Sequence, residues 1–183
     1  MACVDLYVAL GAKRENVLMF DSKGLIHTKR KDLDERKQKF AANKKELSLQ
    51  EAFKGADVFI GVSGPNLITE ADVESMAPGS IVFALANPDP EIDPLLARKH
   101  AAVVATGRSD QPNQINNVLA FPGIFRGLLD GNITKITDKM LTAAAMAIAE
   151  CVSADQLNAN FIIPSVFDPR IATAVASAVR KAN

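Results

Sequence analysis

Four short, continuous apolar runs separated by helical stretches constrain the fold of this chain more than any other feature. The runs are rich in Val, Ile and Phe, and they do not alternate apolar with polar residues. Continuous apolarity is typical of parallel strands that are buried on both faces, and the intervening helices provide the cover. The sequence therefore predicts a doubly wound α/β fold, a three-layer αβα sandwich, with parallel strands over residues 17–20, 58–62, 81–86 and 102–105.

Capping signals locate the ends of several helices. Ser48 followed by Glu51 forms a capping box, and Gly55 provides a stop for the same helix. The same reasoning predicts helices that begin after Thr69 and at Pro90, a helix over residues 114–129 that Pro122 kinks or restarts, and helices over residues 2–10, 138–152 and 169–181, the first of them amphipathic.

Length, charge and cysteine content limit the classes of protein to consider. The 183 residues suffice for one α/β domain, and the sequence contains no linker or second-domain boundary. The 21 basic and 21 acidic residues cancel, so neither nucleic acid nor a membrane is an expected partner. Cys3 and Cys151 are far apart and the start lacks the pattern of a secretory leader, so we expect reduced thiols and a cytoplasmic location.

Asp21 closes the first predicted strand and precedes a Ser-Lys-Gly turn. A doubly wound nucleotide-binding fold places at this point the carboxylate that accepts a hydrogen bond from the adenosine ribose. An aspartate that only bonds nearby backbone amides in a turn would give the same pattern. Asp21 is therefore a candidate ribose-binding residue with a purely structural alternative.

Gly61, Val62, Ser63 and Gly64 close the second predicted strand. Glycines at this place let a ligand approach the backbone closely, although an ordinary tight turn explains them equally well. The dinucleotide fingerprint G-x-G-x-x-G occurs nowhere in the chain. The chain also opens with a helix where such folds open with a strand, so we expect the first strand and its glycine turn to precede Met1.

Asparagines come after the two remaining strands. Asn87 directly follows the strand over residues 81–86, at the end where open α/β sheets bind ligands. Asn113, Asn116 and Asn117 precede an apolar helix, whose N-terminal N–H groups favour a carboxylate or phosphate. An Asn side chain offers a donor and an acceptor without charge, which suits a carboxamide or a hydroxy acid. The structural alternatives are an Asx turn at Asn87 and helix caps at Asn113 or Asn116.

Six sequence segments occur in a fixed order along the chain. They are Phe-Asp-Ser-Lys-Gly-Leu-Ile from Phe20, Phe-Ile-Gly-Val-Ser from Phe59, Ala-Asn-Pro from Ala86, Ala-Thr-Gly-Arg-Ser-Asp from Ala105, Pro-Asn-Gln-Ile-Asn-Asn-Val-Leu-Ala-Phe-Pro from Pro112, and the stretch from Ile162 to Arg170. In order and spacing these segments resemble the cofactor domain of malic enzymes of the bacterial type. The resemblance covers nearly the whole chain, which makes it far more specific than any single motif.

The resemblance implies a Rossmann-like domain of an oxidoreductase that converts malate to pyruvate and CO₂ while it reduces NAD or NADP. The family's catalytic tyrosine and lysine, and the ligands of its Mg²⁺ or Mn²⁺, lie upstream of Met1, so the chain by itself is expected to be inactive and to bind no metal. The intact enzyme is expected to be a homo-oligomer. By resemblance the cofactor-binding residues are Asp21, Ser22, Gly61, Val62, Ser63, Gly64, Asn87 and Asn116, and the substrate-binding residues are Asn87 and Asn117.

The sequence does not decide between NADP and NAD, and it leaves two alternative functions to consider. Asp21 should repel the 2′-phosphate of NADP, whereas Ser22 with Lys37 and Lys39 resembles the NADP-using members, so we favour NADP over NAD. One alternative function is a non-catalytic nucleotide-binding or regulatory module. The other is a different dehydrogenase with a related cofactor domain, such as an amino-acid or folate dehydrogenase, but the Asn-Pro pair at Asn87 and the Asn-Asn pair at Asn116 disfavour it.

Overall fold

The computed structural model describes residues 1–183, and these divide into two compact units, Met1–Gly55 and Ala56–Asn183. Each unit has its own secondary structure and is described separately. The assignment of the whole chain to one cofactor-binding domain stays a prediction.

The first unit consists of short helices and one β-hairpin. Strand β1 (Phe20–Asp21) pairs antiparallel with β2 (Gly24–Leu25), and Phe20 lies opposite Leu25. Leu25 and Ile26 are almost completely buried and anchor the hairpin in this unit. The helices of the unit are α1 (Ala2–Ala9), α2 (Glu35–Gln38) and α3 (Leu49–Phe53), with a 3₁₀ turn at Arg14–Asn16.

The predicted parallel strand over residues 17–20 is wrong. Only Phe20 belongs to a strand, and that strand pairs with residues a few positions later in the chain. The Asp21 carboxylate accepts a hydrogen bond from the N–H of Lys23 at 3.0 Å, and Gly24 has a φ of +103°. An aspartate that bonds the turn and a left-handed glycine therefore reverse the chain and decide the pairing of this segment.

Helix α3 has the ends that the sequence predicts. The Ser48 hydroxyl accepts the N–H of Glu51 at 3.1 Å, and the Glu51 carboxylate accepts the N–H of Ser48 at 2.8 Å. Gly55 follows with a φ of +69°. Helix α1 is also present, but the prediction that it is amphipathic is wrong. Its apolar residues are spread around the whole helix rather than gathered on one face, and none of them is buried.

Three parallel strands form the sheet of the second unit. They are β3 (Val58–Gly61), β4 (Ile81–Ala84) and β5 (Val103–Thr106), in the spatial order β3-β4-β5. Val82 and Ala84 of the central strand are completely buried, as the continuous apolar run requires. The three corresponding predicted strands are confirmed, with ends shifted by one or two residues.

Five helices belong to the second unit. They are α4 (Glu70–Glu74), α5 (Pro94–Ala97), α6 (Phe121–Asp130), α7 (Asp138–Ala149) and α8 (Arg170–Lys181). Helices α7 and α8 have 12 residues each. None of the helices is both long enough and apolar enough to cross a membrane.

Two predicted helix starts differ from the structure. The helix expected at Pro90 begins at Pro94 instead, because the Asp93 carboxylate accepts the N–H of Leu95 at 2.8 Å and caps it there. The helix expected over residues 114–129 is divided into a 3₁₀ turn, Asn117–Leu119, and helix α6. Pro122 lies in the first turn of α6 and so restarts the helix, as predicted.

Helices α6 and α8 pack so closely that two glycines of α6 have no room for a side chain. A Cβ on Gly123 would lie 2.5 Å from Cβ of Val175, and a Cβ on Gly127 would lie 2.6 Å from the carbonyl oxygen of Ala176. Val175 is completely buried in the apolar cluster that these helices share with α7. Close backbone contact and a shared apolar core therefore hold the three C-terminal helices together.

Candidate ligand-binding site

The carboxyl ends of the three parallel strands meet at one edge of the sheet. Gly61 of β3 pairs with Ala84 of β4, and Ala84 pairs with Thr106 of β5. The loops after these three residues therefore begin at the same level, and we call them together the ligand edge. Open α/β sheets bind their ligands at this edge.

The turn after β3 contains two glycines with different surroundings. A Cβ on Gly61 would lie 2.3 Å from Cδ of Glu91, so a buried side chain of this unit explains why Gly61 has none. A Cβ on Gly64 would meet no atom within 4 Å, so Gly64 borders open space. Val62 and Ser63 between them are exposed. Of the two glycines, only Gly64 leaves space that a ligand can enter.

Glu91 is a residue of this edge that the sequence analysis did not select. Its side chain is completely buried, and its two oxygens accept the N–H of Ser63 at 2.9 Å and the N–H of Ala86 at 3.1 Å. The carboxylate thus joins the turn after β3 to the start of the loop that follows β4. A lone acidic residue between Pro90 and Ile92 was the only signal in the sequence, and a helix start explained it equally well.

Asn87 lies in this loop, directly after Ala86, and is exposed. Its peptide bond to Pro88 is cis. No group of the chain bonds its side-chain amide, which rules out the Asx turn that was the structural alternative. The structure therefore leaves both the donor and the acceptor of Asn87 available at the ligand edge.

Asn113 lies in the loop after β5 and is buried, with a left-handed φ of +59°. Its amide group donates to the carbonyl oxygens of Val104 at 3.1 Å and Ala159 at 2.8 Å, and its oxygen accepts the N–H of Ile162 at 3.0 Å. Asn113 therefore fastens the segment around Ile162 to strand β5, and its role is structural.

Asn116 and Asn117 differ although they are adjacent. The Asn116 oxygen accepts the N–H of Val118 at 3.0 Å and caps the 3₁₀ turn, so the predicted capping alternative is correct for this oxygen. Asn117 is exposed, and its side chain has no partner within the chain. Asn116 keeps its amide hydrogens and one lone pair of its oxygen for a ligand, whereas Asn117 keeps its whole amide group.

Two clefts lie in the second unit. One of about 510 Å³ separates the loop after β5 from the segment before α8, and the other of about 390 Å³ lies beside Asp93 and Arg108. Asn116 lines the first cleft, but neither cleft includes the turn from Gly61 to Gly64, nor Asn87 or Asn117. Of the predicted site residues, Asn116 alone lines either of these two clefts.

In the first unit, Asp21 is the centre of a charge cluster. Its carboxylate oxygens accept hydrogen bonds from the Arg30 guanidinium at 2.8 Å and the Lys37 ammonium at 2.6 Å. Only 15% of the Asp21 side chain and 10% of the Arg30 side chain are exposed, so water screens this pair weakly. Arg30 and then Lys37 hold the pKa of the Asp21 carboxyl well below its usual range.

Asp32 and Lys23 complete this cluster. The Asp32 carboxylate accepts from Arg30 at 2.9 Å and from Lys23 at 2.8 Å, and these two donors lower the pKa of Asp32. The cluster of Asp21, Lys23, Arg30, Asp32 and Lys37 contains three cations and two carboxylates, and so carries one net positive charge. Ser22, the other ribose candidate, is exposed next to it. Of the two lysines that the sequence indicated for an NADP site, Lys37 forms an ion pair with Asp21, whereas Lys39 forms none. Sequence reasoning assigned no contact between Arg30 and Asp21, because nine residues separate them.

No group of three or more His, Cys, Asp or Glu side chains in the chain could hold a metal ion. The loops of the ligand edge contain four acidic residues. Glu91 bonds backbone amides, Asp93 caps α5, and Asp110 pairs with Arg108 at 2.7 Å. Asp110 raises the pKa of Arg108, and Asp89, which forms no ion pair, is close enough to add to this effect. The Arg108 guanidinium lowers the pKa of Asp110.

The parallel sheet and the loops at its carboxyl edge define a Rossmann-like α/β domain. A sequence model described as "Malic enzyme, NAD binding domain" matches residues 4–183. The chain therefore belongs to the family of malic enzyme NAD-binding domains.

Characterised relatives agree with this assignment. An "NADP-dependent malic enzyme" of Halomonas elongata is 45% identical and aligns with 100% of this chain and 47% of its own length. An "NAD-dependent malic enzyme" of Geobacillus stearothermophilus is 48% identical and aligns with 100% of this chain and 38% of its own length. The chain thus spans less than half of the length of these relatives.

Solved structures show the same fold. The malic enzyme of Entamoeba histolytica superposes with a TM-score of 0.90 at 38% identity, over 98% of this chain and 39% of its own. The NAD-dependent malic enzyme of Thermotoga maritima superposes with a TM-score of 0.87 at 40% identity, over 97% of this chain and 47% of its own. The predicted fold class and family are confirmed.

Proposed function

We propose that this chain forms the dinucleotide-binding part of a malic enzyme, which oxidises malate with NADP or NAD and releases pyruvate and CO₂. The match of residues 4–183 to the NAD-binding domain of that family carries the proposal. The names of the two relatives, an NADP-dependent and an NAD-dependent malic enzyme, support the substrate and the choice of cofactors.

The ligand edge has features that suit a dinucleotide. Open space beside Gly64 lets the ligand approach the backbone, and exposed Val62 and Ser63 border the same turn. Asn87 and the amide hydrogens of Asn116 provide uncharged hydrogen bonds for the carboxamide of the nicotinamide. We assign the turn from Gly61 to Gly64 to the dinucleotide, and in the first unit Asp21 and Ser22 to the ribose.

Malate is assigned to Asn87 and Asn117. The nicotinamide supplies the hydride acceptor of the reaction when it is bound. Both asparagines are exposed and have unbonded amide groups, so they can orient a hydroxy acid without adding charge. We place the acid-base residues and the ligands of Mg²⁺ or Mn²⁺ in the rest of the full-length protein, since the H. elongata relative is more than twice as long as its aligned part.

We further propose that NADP is preferred over NAD. Asp21 alone would repel a 2′-phosphate, but Arg30 and Lys37 neutralise its charge, and the whole cluster is positive by one charge. Exposed Ser22 adds a hydroxyl donor of small size. A net positive cluster with an accessible donor favours the cofactor that carries the additional phosphate.

The full-length enzyme is proposed to be a cytoplasmic homo-oligomer, a dimer or larger. The resemblance to malic enzymes of the bacterial type supports both statements. Light scattering on the purified full-length protein measures its molar mass, and a monomer at micromolar concentration would contradict an oligomeric state.

The full-length protein that contains this chain is the material for the test. It is incubated with malate, Mn²⁺ and either NADP or NAD, and both reduced cofactor and pyruvate are measured. We expect them to form in equal amounts, with a higher kcat/KM for NADP than for NAD. Dinucleotide binding without turnover would favour the non-catalytic module instead, and turnover with an amino acid or a folate but not malate would favour another dehydrogenase.

A further inference from the structure

Glu91 is a completely buried carboxylate whose hydrogen bonds come only from backbone N–H groups. No Lys, Arg or His side chain forms an ion pair with it. Burying an unpaired carboxylate is unfavourable unless strong hydrogen bonds replace its water, and an apolar side chain of similar size is often at least as stable in such a place. A contribution to packing alone does not explain a glutamate here.

The contacts of Glu91 connect two loops that lie on neighbouring strands. One oxygen accepts the N–H of Ser63 at 2.9 Å, and the other accepts the N–H of Ala86 at 3.1 Å. The backbone around Glu91 adds two bonds, from the N–H of Asn66 to Pro90 and from the N–H of Ile68 to Glu91 itself. Glu91 thus provides the side-chain link between the turn after β3 and Ala86, the residue that directly precedes Asn87.

The Glu91 side chain leaves no space for a side chain at Gly61. Any side chain at Gly61 would overlap Glu91, because its Cβ would lie within 2.3 to 2.8 Å of three side-chain atoms of Glu91. By contrast, the space beside Gly64 is empty. The strand end and the carboxylate therefore fit one another, while the outer part of the turn stays open.

We propose that Glu91 is a positioning residue of the ligand edge. Its carboxylate holds the turn after β3 and the Asn87 loop in one fixed arrangement, and through them sets the affinity for the dinucleotide. Glu91 does not touch the ligand. This inference rests on the proposed function, because it takes the ligand edge to be the dinucleotide site.

The test compares Glu91→Gln with Asp72→Asn in the full-length protein. Gln keeps the size of Glu91 but replaces one acceptor oxygen by a donor, which faces a backbone N–H. Asp72 is a matched control because it is also buried, at 7% exposure, and its carboxylate also accepts two hydrogen bonds, from the N–H and the hydroxyl of Thr69 at 2.8 Å each. Asp72 caps helix α4 and does not contact Ser63 or Ala86.

Two quantities are measured, amide hydrogen exchange at Ser63 and Ala86 without ligand, and the dissociation constants of NADP and NAD. In Glu91→Gln we expect at least one of the two amides to exchange at least about tenfold faster, and the dissociation constant of whichever dinucleotide binds to rise by about tenfold. Asp72→Asn should change neither, even if it lowers the melting temperature.

Unchanged exchange in Glu91→Gln would overturn the proposal, and so would faster exchange with unchanged affinity. A Glu91→Gln protein that does not fold while Asp72→Asn does would also overturn it, because Glu91 would then support the whole unit rather than the ligand edge. A wild-type protein that binds neither dinucleotide would contradict the proposed function instead, and hydrogen exchange would still decide whether Glu91 orders the two loops.

Discussion

Gly61 and Glu91 occupy adjoining space, such that a Cβ on Gly61 would lie 2.3 Å from Cδ of the buried glutamate. Gly61→Ala must therefore displace Glu91 or the end of β3, and we expect it to lower the free energy of unfolding by about 1–3 kcal/mol. Gly64→Ala is the control, because its Cβ would meet no atom within 4 Å, and we expect a change below about 0.5 kcal/mol. Urea denaturation measures both, and equal losses would contradict the packing described for Gly61.

Asn113 should be important for stability and not for ligand binding. Asn113→Ala leaves the carbonyl oxygens of Val104 and Ala159 and the N–H of Ile162 without this partner. We expect a loss of about 2–4 kcal/mol in the free energy of unfolding, since each buried polar group left unbonded costs about 1–3 kcal/mol and local shifts let water satisfy part of them.

Asn132→Ala is the matched control for this measurement. Asn132 also has a left-handed backbone, with a φ of +50°, but it is exposed and its side chain bonds nothing in the chain. The loss of unfolding free energy in Asn132→Ala therefore measures the cost of placing alanine in a left-handed backbone, without any lost hydrogen bond. If both variants lose the same free energy, the hydrogen bonds of Asn113 contribute nothing and the structural role given to it is wrong.

Lys37 should determine cofactor preference. Lys37→Met removes the ammonium that bonds Asp21 at 2.6 Å, and so removes the net positive charge of the cluster. We expect kcat/KM for NADP to fall by about tenfold, while kcat/KM for NAD changes by less than about threefold. Lys45→Met, an exposed lysine outside the cluster, controls for loss of charge elsewhere on the surface. Equal losses with both cofactors would argue against contact with the 2′-phosphate.

The pair of Asp168 and Arg170 should stabilise the second unit in a pH-dependent way. The Arg170 guanidinium and backbone N–H lower the pKa of Asp168 to about 2, from an ordinary value of 3.8. Because the folded pKa is depressed, the stabilisation is complete above the unfolded value and is lost as the pH falls towards about 2. We expect Asp168→Asn to be less stable than wild type near neutral pH, with a difference that shrinks below about pH 4. Urea denaturation over this range measures it, and a difference independent of pH would contradict the assignment.

Most of the sheet could be predicted from the sequence because its signals are local. Continuous apolar runs mark β3, β4 and β5, and the capping box at Ser48 marks α3. The segment over residues 17–20 has the same apolarity, but a turn directly after it, with an Asx bond at Asp21, gives it a hairpin partner. Composition indicates that a segment is extended, whereas the strand with which it pairs depends on the neighbouring turn.

The sequence indicates which asparagines lie near the ligand edge, but not which of them are free to bind a ligand. Asn87 and Asn117 are exposed at the places that the sequence indicates, but the same reasoning could not separate Asn117 from Asn113, which is buried. The contact between Glu91 and Ser63 spans 28 residues of sequence, and no local pattern encodes it. Charge pairing has the same property, since 16 residues of sequence separate Lys37 from Asp21.

The most direct test of the account is the kcat/KM for malate of Asn87→Ala and Asn117→Ala, measured in the full-length enzyme together with the melting temperature. Both side chains are exposed and unbonded, so their loss should leave stability nearly unchanged, by about 0.5 kcal/mol or less. If they orient malate at the ligand edge, kcat/KM should fall at least about tenfold, whereas Asn43→Ala, an exposed asparagine in the other unit, should behave like wild type. A lower melting temperature with unchanged kcat/KM would show that both residues are only structural, and would contradict the account.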